Sequence, residues 1–233
     1  MSTTLVASYN IHRCIGRDRR RLPARIVEVL RELDADIVAL QEVEAEHRDD
    51  ALDQWAYLAQ ALGYFCTPGI SLRTHRRDYG NALLSRWPAD AVRLHDLSID
   101  RREPRGAIDV DLSPGPASGL RVIATHLGLW SRERSRQIDR LLALMGGDPV
   151  RPTLLLGDLN EWRPGSANLK RLRRRFAPSP APPTFPARRP LLALDRVLVA
   201  GGTILEIGSH ASALARIASD HLPIRARIGW DAI

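Results

Sequence analysis

The hydrophobic positions of this chain fall into short runs that end on polar side chains, separated by segments carrying one apolar stripe. Thr4 to Asn10 reads as a first strand, followed by an irregular stretch from Ile11 to Arg21 that holds Gly16 and five arginines. Pro23 then opens a helix in which Ile26, Val29, Leu30 and Leu33 fall at i, i+3, i+4 and i+7. Asp36 to Glu42 is a second buried strand, and a second helix is expected from Ala51 to Leu62 with Gly63 as its stop. Thr67 to Asp78 has the composition of a basic loop, and Tyr79 to Ser85 begins another strand that Pro88 ends. Ala107 to Leu112 and Leu120 to His126 read as a hairpin around Ser113-Pro114-Gly115-Pro116. Ser131 stands where it would cap a helix with Ile138, Leu141, Leu142 and Met145 as its stripe and Gly146-Gly147 as its end.

The most informative run is Leu154-Leu155-Leu156-Gly157-Asp158-Leu159-Asn160. Three leucines in a row predict a short strand buried on both faces, which breaks open at Gly157. If extended backbone continues for two more residues, Asp158 and Asn160 leave the same face; taken alone, the stretch also fits a strand-end turn. A short basic helix is expected around Asn168 to Phe176, and the proline-rich Ala177 to Pro190 reads as a loop packed on the same fold. Leu191 to Ala200, Thr203 to Ile207 and Ile224 to Ile228 are the expected closing strands.

A length of 233 residues suits one domain spanning 1–233, and 44% hydrophobic with 26% charged residues excludes global disorder. No run of about 18 apolar residues predicts a membrane span, and the polar Tyr9-Asn10-Ile11-His12 comes too early for a signal peptide, so a cytoplasmic protein is expected. Cys14 and Cys66 supply neither a disulfide framework nor metal-ligand spacing and read as free thiols. The net charge of +7 favours an anionic substrate or surface; it is carried almost wholly by arginine, with Lys170 the only lysine. No obligate protein partner is expected.

Polar residues recur at the ends of the buried strands: Asn10, Glu42, His126, Asp158 with Asn160, Asp195, and Asp220-His221 before the last strand. Strand ends of one polarity can converge on one edge and bring distant residues into a cleft. One isolated Glu with amide and carboxylate neighbours, and no clustered Cys or His, suits a hard cation, Mg²⁺ or Mn²⁺ before zinc. Two histidines and an acid pair beside it suit attack of water on phosphorus. The chain lacks a Gly-x-Ser-x-Gly elbow, a Walker loop, His-Glu-x-x-His and a dinucleotide fingerprint.

In order, Tyr9-Asn10-Ile11, Gln41-Glu42-Val43, Thr125-His126-Leu127, Gly157-Asp158-Leu159-Asn160, Leu194-Asp195-Arg196-Val197 and Ser219-Asp220-His221-Leu222-Pro223 closely resemble the endonuclease/exonuclease/phosphatase superfamily. The resemblance runs from Asn10 to Pro223 and implies a four-layer α/β sandwich, two mostly antiparallel sheets face to face with helices outside. It also implies roles: Glu42 as main metal ligand with Asn10 and Asp220 beside it, Asp158 to orient and deprotonate water, and Asn160 to hold a phosphate oxygen. By the same resemblance His221, steadied by Asp195, is a donor or general acid, and His126 stabilises charge on the phosphoryl oxygens.

His12 stands where some members of the family carry a further metal-binding Asp. Tyr9-Asn10-Ile11-His12 with Gly16 and Asp18, His126-Leu127-Gly128-Leu129, and Thr184-Phe185-Pro186 resemble a bacterial subgroup of small metal-dependent hydrolases, closer in pattern to sphingomyelinase-like phosphodiesterases than to DNA-repair enzymes. A small or lipid-derived phosphodiester is therefore the expected substrate. DNA or RNA is the alternative that the charge favours, and a non-catalytic phosphate-binding module is a second alternative. Arg105, Arg136 and Asn81 are weighed as substrate contacts against solvation or turn roles, with Arg105 and Asn81 retained. Trp55, Trp87, Trp130 and Trp162 are read as core or rim packing.

Overall fold

Two parallel strand pairs set the architecture, because parallel neighbours cannot be joined by a hairpin and need a crossover over one face of the sheet. The computed structural model describes residues 2–48, 52–114, 119–146 and 151–230. Its first half contains β1 (Ser2–Asn10), α1 (Pro23–Leu33), β2 (Ile37–Glu46), α2 (Gln54–Leu62), β3 (Phe65–Arg73), β4 (Arg77–Ser85) and β5 (Ala89–Asp96). The second half contains β6 (Gly106–Leu112), β7 (Leu120–His126), α3 (Ser131–Leu144), β8 (Thr153–Asp158), α4 (Ala167–Leu172), β9 (Asp195–Ala200), β10 (Gly202–Ser209), α5 (Ala215–Ala218) and β11 (Ile224–Trp230).

These form a six-stranded sheet in the order β10-β11-β1-β2-β4-β3 and a five-stranded sheet in the order β5-β6-β7-β8-β9. Within each sheet one pair is parallel, β1 with β2 and β7 with β8, bridged by α1 and α3; the other neighbours are antiparallel. Three apolar layers follow from the period of two. Val6, Ile37, Ala39 and Leu83 meet Ile108, Val122, Leu154 and Leu156 between the sheets. Tyr9, Val38 and Leu40 face the stripe of α1, Ile26, Val29, Leu30 and Leu33, on one outer side. Ile123 and Leu155 face Ile138 and Leu141 of α3 on the other. Leu155 thus points away from Leu154 and Leu156, which is why three successive leucines are all buried.

The expected four-layer sandwich is the observed one, with local corrections. Thr67 to Asp78 is not a loop: β3 occupies most of it as an edge strand, where Pro68 costs no central ladder bond. β5 had no counterpart in the sequence reading, and α5 is a further short helix. Leu191 to Leu194 lies outside any strand, since β9 begins at Asp195. Asp53 caps α2 by accepting from Trp55 and Ala56 amides, so the helix starts after it, and Ala51 lies outside the described residues. Ser131 is the first residue of α3 and makes no capping bond. Gly115, Pro116 and Gly147 also lie outside the described residues. No described helix is long and apolar enough to cross a membrane.

Candidate active site

The crossovers leave the C-terminal ends of β1, β2, β7 and β8 at one edge of the sandwich, and a cleft of about 600 Å³ opens there. Asn10, Glu42, His126, Asp158, Asn160, Asp220 and His221 all line it. Asn10, His126 and Asp158 are the last residues of β1, β7 and β8. Asp195 reaches the same edge from the start of β9, which runs antiparallel to β8 and pairs Asp195 with Asp158.

Two irregularities aim the acids. In β2 the register against β4 slips between Leu40 and Val43, and Glu42 sits at φ 59°. Both Leu40 and Val43 still face the helices, while the extra residue of this bulge frees Glu42 to line the cleft. At the end of β8 the backbone does not stay extended. Asn160 has φ 50° and donates its amide N–H to Asp158 Oδ1 at 2.9 Å, so the two side chains are brought together by an Asx turn and not by strand periodicity. The Asn160 side chain donates to the Leu127 carbonyl at 2.9 Å, tying this turn to the loop after β7. Gly157 is required just before it: a Cβ there would lie 1.9 Å from the Thr125 oxygen on β7.

Asp158 is the centre of the geometry and is 1% exposed. Its Oδ2 accepts from Asn10 Nδ2 at 3.2 Å and lies 3.5 Å from His126 Nε2 and 3.8 Å from His221 Nε2. Burial, and then the nearby Asp195 charge, push its carboxyl up to about 6. His221 Nδ1 lies 2.9 Å from Asp195 Oδ2, which also accepts from Thr184 Oγ1 at 2.5 Å. Burial opposes the charge on His221, but Asp195, followed by Asp158 and Asp220, outweighs it and raises the imidazole to about 10. The Phe185 ring packs against it, with centroids 4.9 Å apart.

His126 is set the other way. Burial, with Arg105 and His221 adding to it, lowers its pKa well below the usual imidazole value. Arg105 Nη1 lies 2.8 Å from His126 Nδ1, and a guanidinium can only donate; Nδ1 therefore accepts and the proton sits on Nε2, towards Asp158. One histidine is a buried cation and the other a buried neutral donor.

Asp158, Asp195 and His221 each bring one ligand atom within 4.8 Å of the others. Within that group Asp195 and His221 are already bonded to each other. The carboxylate of Glu42 accepts from Asn10 Nδ2 at 3.1 Å and has no cationic partner among the described residues, and the half-exposed Asp220 lies 3.9 Å from His12 Nδ1. Carboxylate oxygens from Glu42 and Asp220 fit a hard divalent cation, while the Asn10 amide meets Glu42 through its Nδ2 and turns its Oδ1 to the His12 amide N–H at 3.1 Å. His12, in the place where an acid would extend this set, offers only an imidazole.

Asn81 is held by the fold. It is buried away from the cleft wall, its Nδ2 pointing to the Gly106 carbonyl at 3.4 Å and its own carbonyl accepting from Trp55 Nε1 at 2.8 Å, so it ties β4 to β6 and α2. Arg136 pairs with Asp100 at the surface. Trp55 is buried and Trp87 packs at the inter-sheet core, whereas Trp130 and Trp162 are exposed on the loops after β7 and β8, each under a neighbouring arginine.

Sequence reasoning missed the supports. Buried Glu161 accepts from Asn168 at 3.0 Å and lies 3.4 Å from Arg134 Nε, and Arg134 Nη1 donates to the carbonyls of Gly128 and Leu129 at 3.2 and 2.6 Å. This network clamps the loop that follows His126 to the turn that carries Asn160. Thr184 opens the Thr184-Phe185-Pro186 motif and Glu161 directly follows Asn160, but neither residue type announces such a role.

The model of the endonuclease/exonuclease/phosphatase family matches residues 7–221. The chain is 31% identical to the uncharacterized protein YbhP of Escherichia coli K12, over 96% of this chain and 95% of that protein. Among solved structures it is similar to an endonuclease/exonuclease/phosphatase from Beutenbergia cavernae, with TM-score 0.78 and 23% identity, covering 99% of this chain and 72% of that one. It is also similar to the mannosyl-6-phosphatase Bt3783 of Bacteroides thetaiotaomicron, with TM-score 0.74 and 17% identity, covering 97% of this chain and all of that one. With a family model spanning most of its length and a relative matched nearly end to end, the chain belongs to the endonuclease/exonuclease/phosphatase family.

Proposed function

We propose that this protein is a divalent-metal-dependent phosphodiesterase that hydrolyses a small or lipid-derived phosphodiester by attack of an activated water. One observation carries the reading: a buried carboxylate, Asp158, with two histidines in opposite protonation states and an asparagine gathered around its Oδ2. A carboxyl raised to about 6 is mostly ionised at neutral pH yet basic enough to take a proton from water. The Asn160 amide N–H fixes its other oxygen, so the lone pair available to water is directed into the cleft.

Glu42 and Asp220 are the residues that would hold Mg²⁺ or Mn²⁺, with Asn10 orienting the Glu42 carboxylate through its Nδ2. Such an ion supplies positive charge to the phosphoryl oxygens and eases ionisation of water. The chain's own residues do the rest. His126, neutral with its proton on Nε2, gives a phosphoryl oxygen a hydrogen bond and acts as a donor, not as an acid, since Arg105 on Nδ1 fixes its tautomer. His221, kept cationic by Asp195, donates to the phosphate or to the leaving alkoxide and keeps its charge until that transfer. The in-line geometry requires donors on several sides of the pentavalent centre, and the four strand ends supply them.

The test is turnover by metal-stripped protein resupplied with Mg²⁺ or Mn²⁺, on a chromogenic diester, glycerophosphodiesters, plasmid DNA, RNA and a sugar phosphomonoester. Metal-dependent cleavage of the small diesters supports the reading. Cleavage confined to monoesters, or none in a folded metal-bound protein, overturns it. A nucleic-acid substrate is the second reading, favoured by exposed Trp130 and Trp162 beside a cleft lined by Arg13, Arg77 and Arg105. It predicts a steep loss of affinity with rising salt, where a small diester gives a shallow one.

A further inference from the structure

The segment after β1 holds three successive non-glycine residues in the left-handed region, His12 at φ 45°, Arg13 at φ 56° and Cys14 at φ 60°. Left-handed backbone crowds the Cβ of any non-glycine residue, so the turn persists only because its surroundings impose it. The His12 amide donates to Asn10 Oδ1 at 3.1 Å, Gln54 Nε2 donates to the Arg13 carbonyl at 3.0 Å, and the Leu22 amide donates to the Cys14 carbonyl at 2.9 Å. Cys14 is fully buried. Behind it the chain is locked again: Arg25 grips Asp18 through both nitrogens at 2.9 and 3.0 Å, and a Cβ on Gly16 would come within 2.6 Å of the Ile217 oxygen. Gly16 and Asp18 therefore serve to brace this loop.

The braced turn presents Arg13 to the cleft. Its guanidinium has no carboxylate partner among the described residues and lies 3.4 Å from the His12 ring nitrogen. The other cleft arginines are engaged, Arg77 with Glu44 at 2.8 Å and Arg105 with His126. Arg77 and Tyr79 leave the same face of β4 and line the cleft too; burial and then Glu42 and Glu103 push the Tyr79 hydroxyl up, with Arg105 and Arg13 opposing them, so it stays a neutral hydrogen-bond donor beside Arg13. None of these groups is needed around Asp158, so the wall they form is extra to the reaction centre.

We infer that Arg13, with Arg77 and Tyr79, forms an anion subsite that takes a second anionic group, a phosphate or carboxylate, carried on one alcohol arm of the ester. This rests on the phosphodiester reading and narrows its substrate to diesters bearing further negative charge. The same chemistry is offered by a neighbouring nucleotide phosphate or by an acidic head group, so the test has an arm for each. The first compares the 4-nitrophenyl ester of thymidine 5′-phosphate with the same compound bearing a 3′-phosphate. The second compares glycerophosphoethanolamine with glycerophosphoserine, which differ by one carboxylate.

The native protein should prefer the more anionic member of at least one pair about tenfold in kcat/KM, a discrimination in the range of one charged hydrogen-bonded contact. Arg13→Gln should bring that ratio close to one, and Arg13→Lys should keep part of it. A ratio near one in the native protein, or one unchanged in Arg13→Gln, overturns the inference. Should no diester turn over, calorimetric binding of thymidine 3′,5′-bisphosphate against thymidine 5′-phosphate reads the subsite without the reaction. A preference for the bisphosphate that Arg13→Gln abolishes sustains the subsite while the hydrolase reading fails, and equal affinities remove both.

Discussion

Two aspartates of the five-stranded sheet, Asp109 on β6 and Asp158 on β8, are buried to nearly the same degree and are treated in opposite ways. Asp109 accepts from Arg93 at 2.9 and 3.1 Å and from Arg121 at 2.7 and 2.9 Å, with His95 at 3.2 Å. Burial pushes its carboxyl up, but the hydrogen bonds from Arg121, Arg93 and His95 outweigh this and hold it well below the usual range. Asp158 has no arginine among its described partners; burial dominates and its carboxyl rises to about 6. A buried acid that serves only the fold is compensated where it stands. One left short of positive charge is available to take a proton or to meet a charge that arrives with the substrate.

The largest effects should separate the two acids by type. Asp158→Asn should lower turnover by about 10³-fold, the range of a lost general base, with circular dichroism and metal affinity close to native. Asp109→Asn should do the reverse, costing about 2 kcal/mol of stability in denaturant unfolding, because it removes the buried anion on which the partly exposed Arg93 and Arg121 converge, while turnover of the folded protein stays close to native. Asp195→Asn belongs with the first: it should lower turnover by about 10²-fold and move the His221 titration, followed by NMR, down from about 10.

The smallest expected effect is in the pH dependence of stability of the metal-free protein. Asp109, with its folded pKa depressed, adds stability that is present above the ordinary value near 3.8 and lost as the pH falls below it. Asp158, with its folded pKa raised, adds stability that is present below 3.8 and lost as the pH rises through about 6. Asp109→Asn should therefore flatten the acid limb, and Asp158→Asn the loss between pH 4 and 6. Unfolding midpoints across that range would show it, and parallel curves for the two variants would erase the distinction.

This contrast was only half legible in the sequence. Asp158, Glu42, His126 and His221 stand out because each ends an apolar run or sits in a motif, and strands with one direction put their ends together. Asp109 lies mid-strand in Ala107-Ile108-Asp109-Val110-Asp111, and its arginines come from β5 and β7, so nothing local marks it. The same limit hid Arg105, whose role as the group that fixes the His126 tautomer depends on a contact across 21 positions. It also hid the bulge at Glu42, whereas the turn at Asn160 was open to view in the Gly-Asp-Leu-Asn composition and is the reading the backbone adopts over continued alternation. The edge strands β3 and β5 escaped because an edge tolerates Pro68-Gly69 and exposed Val92 and Leu94, which blur the strand pattern. The central strands, buried on both faces, were plain.

The account holds that proton transfer belongs to Asp158 and metal binding to the partly exposed oxygens of Glu42 and its neighbours. The direct test is hydrolysis of bis(4-nitrophenyl) phosphate by metal-free protein titrated with Mn²⁺, for the native chain, Asp158→Asn and Glu42→Gln. Saturating metal should restore most of the turnover of Glu42→Gln, at a half-saturating concentration about 10- to 100-fold higher, and none of that lost in Asp158→Asn. Recovery of Asp158→Asn by added metal, or native turnover in it, would contradict the assignment.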